Sequence, residues 1–305
     1  VQKIVLIVGP TAVGKTEISI QLALRLDAEI ISCDSRLFYR GMNIGTAKPS
    51  LADRRKVPHH LIDVVEPDQV LSLSVFRQEA SRLIGEITNR DRLPLLVGGT
   101  GQYVRAILEG WQPPMVQPSL SLRQALEEWA DEVGYQGLAE RLAVLDPEAA
   151  QMIDPRNVRR TIRALEVIFT TGKRFSEQRQ KGQGQFDSLV LGLIRPRDEL
   201  FSRVDSRIEQ MISEGLVNEV RILLEKGYSP ELPSMSAIGY REISQYLLGK
   251  ITLEEAIIFM KRATRVFIRR QANWFKPDDP KIHWFEVDAD VVEEMEAKVH
   301  AWLKS

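Results

Sequence analysis

The sequence predicts an α/β protein: a three-layer core built on a parallel sheet and interrupted by an all-helical insertion. Three observations predict it. A short β-branched run at the amino end leads straight into a glycine loop and a helical pattern. Apolar runs then alternate with helical periodicity as far as Trp111, the order that builds a parallel sheet with helices on both faces. Beyond Trp111 the pattern is helical throughout, until a strand-like run returns at Leu189.

Lys3–Val8 has the continuous apolar composition of a buried parallel strand. A helix is expected over Thr16–Leu26, with Ile18, Leu22 and Leu26 on one face. Further strands are expected at Ala28–Cys33, His60–Val64 and Leu93–Val97, and a helix at Ser74–Asn89. Gln112, Pro113, Pro114 and Pro118 break the alternation. Ser121 with Gln124 reads as a capping box opening a helix to about Glu132, and Asp146-Pro147 as a cap followed by a first-turn proline. Asn157–Thr171 carries Ile162, Leu165 and Phe169 at helical spacing, and Gly172 can close it. The sheet resumes with Leu189–Ile194. A helix from Asp198 to about Glu225, bent near Gly215, precedes a loop at Ser234–Gly239. Thr252-x-x-Glu255 caps a helix to about Lys276, and His283–Val287 and Ala289–Leu303 read as the last strand and helix. The expected division is therefore 1–111 with 185–305 as the core, and 112–184 as the insertion.

Composition narrows the classes. With 44% hydrophobic residues the 305-residue chain can bury a sizeable core, and no apolar run approaches a membrane span. Cys33 is the only cysteine, which excludes an intrachain disulfide and a cysteine-based zinc module. With no leader visible before the first strand, a cytoplasmic location is expected. Net charge is −1, yet Pro155–Gly182 holds eight Lys/Arg against two Glu, and Lys261–Lys276 holds six Lys/Arg and no acid. Composition leaves open whether these are polyanion-facing surfaces or solvated helix faces.

The glycine loop carries the chemistry. Gly9, Pro10, Thr11, Ala12, Val13, Gly14, Lys15 and Thr16 spell G-x4-G-K-T between strand and helix, the P-loop order. Backbone N–H groups and the helix start attract an anion, Lys15 supplies a point charge, and the Thr16 hydroxyl is placed to hold Mg²⁺. A phosphate or pyrophosphate therefore binds here. Asp34, at the carboxyl end of the second strand, reads as a metal ligand, a general base or a turn cap. Gly98-Gly99-Thr100-Gly101 ends another strand and puts a hydroxyl at the same sheet edge, or is a plain turn. His59-His60 reads as a surface turn rather than a metal site. Arg203 and Arg207, four apart, either clamp a phosphate or bracket Asp205. Arg262, Arg265, Arg269 and Lys276 form a basic stripe, and Phe267 and Trp274 an aromatic one read as core packing. On these residues alone a small-molecule kinase with a helical lid leads, and a non-catalytic RNA-binding ATPase stands behind it.

The pieces taken together resemble one family, the tRNA dimethylallyltransferases, or tRNA isopentenyltransferases. The resemblance rests on GPTAVGKT at Gly9–Thr16, EIISCDS at Glu29–Ser35, YRGMNIGTAKP at Tyr39–Pro49, LLVGGTGQY at Leu95–Tyr103, RRTIRALEV at Arg159–Val167, RVDSR at Arg203–Arg207, SAIGYRE at Ser236–Glu242 and RRQANWFK at Arg269–Lys276. It implies a P-loop-type core and transfer of a dimethylallyl group from dimethylallyl diphosphate to N6 of the adenine 3′-adjacent to the anticodon. It implies that the loop holds the donor's diphosphate with Mg²⁺, and that Asp34, Thr100 and Arg207 are the catalytic residues. Contacts to the tRNA anticodon stem-loop are implied for Asp34, Ser35, Arg36, Leu37, Thr100, Arg123, Arg159, Arg160, Thr161, Ile162, Arg163, Ser236, Ala237, Ile238, Gly239, Tyr240, Arg241, Arg269, Arg270, Gln271, Trp274 and Lys276. Val13 stands where the family often has Ser. Without cysteines for the zinc finger of eukaryotic members, the chain looks like the short bacterial type, expected to act as a monomer.

Overall fold

The computed structural model describes residues 1–112, 114, 119–178, 180–181 and 184–305. The Pro113 and Pro118 parts of the expected break lie outside them. In chain order the elements are β1 Lys3–Val8, α1 Lys15–Arg25, β2 Ala28–Ser32, α2 Leu51–Lys56, β3 His59–His60, α3 Leu73–Thr88, β4 Leu93–Val97 and α4 Gly101–Leu108. Then follow β5 Trp111–Gln112, α5 Leu120–Leu145, α6 Pro147–Met152, α7 Val158–Thr171, α8 Phe175–Gln178 and β6 Gln180–Lys181. The remainder is β7 Asp187–Ile194, α9 Arg197–Ser213, α10 Leu216–Glu225, α11 Tyr240–Leu247, α12 Leu253–Ala272, β8 Ile282–Glu286 and α13 Val291–Leu303.

Six strands form one parallel sheet in the order β3-β2-β4-β1-β7-β8. β1 is central and buried from Ile4 to Val8, as its β-branched run requires. Its side chains alternate between faces: Val5 and Ile7 pack with Ile18 and Leu22 of α1 and Met295 and Val299 of α13, while Ile4 and Leu6 are buried on the other side. A second cluster joins α9–α12 around Val204, Ile208, Leu216, Tyr240 and Met260. The carboxyl ends of β1, β2 and β4 lead directly into the glycine loop, the Asp34 turn and the Gly98–Thr100 turn, so topology alone brings the sequence motifs to one edge.

The chain divides into two compact units, one of Val1–Leu71, Phe76–Leu108 and Gln185–Ser305, the other of Ser72–Val75 and Glu109–Gly184. In the second unit, Leu126, Leu138, Leu142, Ile162 and Leu165 form a helical core. Besides helices, this unit has a two-residue antiparallel ladder between β5 and β6.

Local signals set most boundaries. Thr252 and Glu255 make both bonds of a capping box, Asp146 Oδ1 accepts the Ala149 N–H at 3.0 Å, and Asn157 caps α7, which Gly172 closes at φ 67°. Three expectations are corrected. Ser119, not Ser121, caps α5, which runs on to Leu145 across a break at Gly134. The helix expected from Asp198 to Glu225 is two helices, because Gly215 at φ 101° starts α10 afresh. β3 is only two residues long, and the positive φ of Leu61 and Asp63 shows why extended pairing stops there.

Candidate functional site

A cavity of about 1030 Å³ opens at the carboxyl edge of the sheet, within the first unit. Thr11, Ala12, Gly14, Lys15 and Thr16 of the glycine loop form one wall. Gly9 adopts φ 147°, and a Cβ there would lie 2.7 Å from Leu193 O, so the loop passes close over β7. Two arginines hold the loop's carbonyls: Arg203, itself on the cavity lining, donates from Nε to Ala12 O at 2.8 Å, and Arg195 Nε donates to Val13 O at 2.9 Å. With the carbonyls held, N–H groups at the start of α1 are left to face an anion. The Val13 side chain is in the core, fully buried, so the residue that departs from the family pattern contributes packing.

Lys15 Nζ donates to Gly9 O and Pro10 O at 2.9 and 2.7 Å. Burial lowers its pKa to about 8, against the raising influence of the Asp34 charge. Arg207 lines the same cavity and is held below the usual arginine range by burial, with Asp34 again opposing. Lys15, Arg207 and Asp34 thus sense one another electrostatically. Asp34 Oδ1 accepts the Arg36 N–H at 3.0 Å; among the described residues no donor reaches Oδ2. The Ser35 N–H donates to Thr100 Oγ1 at 3.4 Å, which ties the two strand-end turns together. Beneath them, burial pushes the Cys33 thiol up, so it stays protonated. Burial also raises Tyr103 to about 12; this ring stacks on Phe76 at 4.4 Å between centroids.

Other expected residues divide. Ser35, Arg36, Leu37, Ser236, Ala237, Ile238, Arg270, Gln271 and Trp274 line the cavity with Asp34 and Thr100. Arg36 also reaches across to Pro233 O at 2.8 Å. Gly239 is the cap of α11 at φ 98°, and Arg241 pairs with Glu242. Arg269 and Lys276 are exposed. In the second unit Arg159 and Arg160 are exposed, while Arg123 and Arg163 pair with the fully buried Glu166, at 3.0 and 2.6 Å. Thr161, Ile162 and Tyr240 are buried, so their side chains serve packing or internal hydrogen bonds.

One open alternative on charge and one expectation on packing are overturned. Arg203 and Arg207 do not bracket Asp205: Arg265 of α12 takes that carboxylate at 2.7 Å, which also removes Arg265 from the basic stripe. Phe267 is not core; it is 40% exposed and lines the cavity. Of the two histidines, His60 Nε2 lies 2.7 Å from Glu29 Oε2 and His59 Nδ1 bonds Val57 O. Among the described residues no cluster of three metal-ligating side chains exists.

Sequence reasoning missed Glu219. Its carboxylate accepts the N–H groups of Asn43, Ile44 and Gly45 and the Tyr240 hydroxyl, fixing the loop that supplies Gly45, Thr46 and Ala47 to the cavity. A Cβ at Gly45 would collide with the Tyr240 ring. Lys48 of the same segment buries its side chain against Asp63 at 2.5 Å. The visible signal was the glycine-rich loop itself; its acidic partner lies 174 positions away.

A parallel α/β core with an anion-binding loop, a lysine and an arginine at one end of a cavity, a hydroxyl one strand away and a carboxylate two strands away, defines a P-loop-type protein equipped for group transfer. The IPP transferase family profile matches residues 37–278, and an isopentenyl transferase profile matches residues 2–68. The tRNA dimethylallyltransferase of Roseiflexus sp. (strain RS-1) is 50% identical over 301 residues, 98% of each chain, and that of Thermomicrobium roseum 47% identical over 93% of this chain and 86% of its own. The crystal structure of the full-length tRNA isopentenylpyrophosphate transferase from Bacillus halodurans superposes with a TM-score of 0.74 at 41% identity, covering 100% of this chain and 97% of that one. A eukaryotic dimethylallyltransferase acting on tRNA superposes with a TM-score of 0.80 at 28% identity, covering 99% of this chain and 78% of that one. The chain belongs to the tRNA dimethylallyltransferase family, which are prenyltransferase enzymes.

Proposed function

We propose that the protein transfers a dimethylallyl group from dimethylallyl diphosphate to N6 of the adenine 3′-adjacent to the anticodon in tRNA, giving N6-isopentenyladenosine. The observation that carries this reading is the convergence of Lys15, Arg207 and Asp34 on one cavity beside the glycine loop.

The chemistry follows from those groups. The diphosphate leaves as the bond between the allylic carbon and its bridging oxygen breaks. Lys15, Arg207 and the loop amides are preorganised donors for the charge that grows on that oxygen. The adenine N6 is a weak nucleophile, because its lone pair is delocalised into the ring. Asp34 accepts the N6 proton as the C–N bond forms, and Thr100 holds the turn that presents Asp34. A base in a folded loop must leave its stack to enter a cavity, which anticodon-loop nucleotides permit at low cost.

Mg²⁺ fits the donor set. It binds through few protein oxygens plus substrate phosphates, and Thr16 lines the cavity beside Lys15. Thr16 would hold it, and it would neutralise leaving-group charge. The first unit then binds the donor, and the helical unit, through Arg159, Arg160, Arg123 and Arg163, joins α12 in binding the tRNA. The protein acts as a monomer in the cytoplasm; among the described residues no helix is long and apolar enough to cross a membrane.

The direct test is incubation with labelled dimethylallyl diphosphate and unmodified tRNA followed by nucleoside analysis. Label in N6-isopentenyladenosine at one position per tRNA is expected; its absence, with ATP binding tighter than the prenyl donor, would return the kinase reading. Arg269, exposed on α12, offers a second check. Arg269→Ala is expected to weaken tRNA binding severalfold at low salt and to converge on the wild type at high salt, its log–log salt slope lower by about one. An unchanged slope would make Arg269 a packing residue.

A further inference from the structure

A buried primary amide needs an acceptor for its N–H and a donor for its oxygen. Gln271, near the end of α12, is 4% exposed and finds both in places distant in sequence. Its Oε1 accepts the Thr11 N–H at 2.9 Å, and its Nε2 donates to Gly99 O at 3.1 Å. Only this orientation of the amide satisfies both partners, so the chemistry fixes which end is oxygen. Thr11 belongs to the glycine loop after β1. Gly99 precedes Thr100, whose Oγ1 receives the Ser35 N–H beside Asp34. One side chain therefore spans the two halves of the site.

The fit around it is tight. A Cβ at Gly99 would collide with Gln271 Nε2, and a Cβ at Gly101 with the Trp274 ring one turn further along the same segment. Gly99 and Gly101, on either side of Thr100, are thus keyed to the end of α12. The Thr11 N–H, held by Gln271, leaves the anion to the amides nearer α1.

We infer that Gln271 is a positioning residue for prenyl transfer: its amide sets the separation between the loop that grips the diphosphate and the turn that carries Thr100 and Asp34. That separation is the distance between leaving group and base, so the inference rests on the function proposed above. A displacement of about 1 Å between such groups costs about 10²-fold in rate.

Two variants test this on the full chain. Gln271→Met keeps the volume and removes both bonds. It is expected to bind tRNA as the wild type does, while the single-turnover prenyl-transfer rate falls about 10²-fold and inorganic pyrophosphate binds more weakly. Gln271→Glu keeps an acceptor but, when ionised, opposes Gly99 O. Its deficit relative to wild type is expected to be severe at pH 8 and to shrink below about pH 6, where the protonated acid again offers both donor and acceptor. A wild-type rate in Gln271→Met, a deficit in Gln271→Glu that is flat with pH, or a defect confined to tRNA affinity would each overturn the inference. Should Gln271→Met fail to fold, the pH profile of Gln271→Glu decides alone. A wild-type enzyme inactive on tRNA would instead sink the proposed function, and the variants' pyrophosphate affinities would still report on the loop.

Discussion

Asp34→Ala is expected to lower the single-turnover rate of prenyl transfer by about 10²–10⁴-fold while donor and tRNA still bind, the range for removing a positioned general base. Asp34→Asn is the sharper variant. Its side-chain oxygen still accepts the Arg36 N–H, so the turn after β2 survives and only the proton acceptor is lost. Rapid quench with labelled donor and a saturating anticodon stem-loop measures the step. A rate within tenfold of wild type in Asp34→Asn would remove Asp34 from the base role and leave it as the cap of its turn.

The second large effect belongs to Lys15. Lys15→Ala is expected to weaken diphosphate binding and slow transfer by about 10²–10³-fold, as losing one preorganised donor to developing charge does. It should also change the pH dependence. Burial holds the free Lys15 ammonium at a pKa of about 8, and a bound diphosphate favours the protonated form, raising that value. The contribution of Lys15 to affinity is therefore complete below pH 8. It declines above pH 8, by up to tenfold per pH unit, until the bound-state value is passed. Calorimetric titration with inorganic pyrophosphate measures this. The ratio of wild-type to Lys15→Ala affinity cancels ionisation of the ligand, and a ratio constant from pH 7 to 9.5 would show that Lys15 does not titrate in that window.

The sequence made these two residues unequal in legibility. Lys15 sits in a motif whose mechanics are local: strand, glycines and helix lie within one short stretch, so its place in the glycine loop is legible without the fold. Asp34 reads from sequence as base, metal ligand or cap, and only the parallel order of β1, β4 and β2 shows that it shares an edge with Lys15 and Arg207. The same contrast runs through the fold. β1 and β4 fall where their apolar runs predict, and the cap of α12 where Thr252 and Glu255 predict. Gly215 ended a helix rather than bending it, a choice that depends on packing in the α9–α12 cluster and not on the local window. Glu219 and Gln271 were illegible as organisers, because each acts on backbone groups far away in the chain. Phe267 was misread because a helix embedded on one side and cavity-lining on another shows the same periodicity as a core helix.

Cys33 is the sole cysteine, and it is wholly enclosed, with its thiol kept protonated. Native protein should therefore resist maleimide dyes, and a single cysteine introduced at an exposed position such as Val144 would take the label alone. That makes fluorescence anisotropy or energy-transfer spectroscopy of the helical unit practical in an otherwise unaltered background, during the encounter with a labelled transfer RNA.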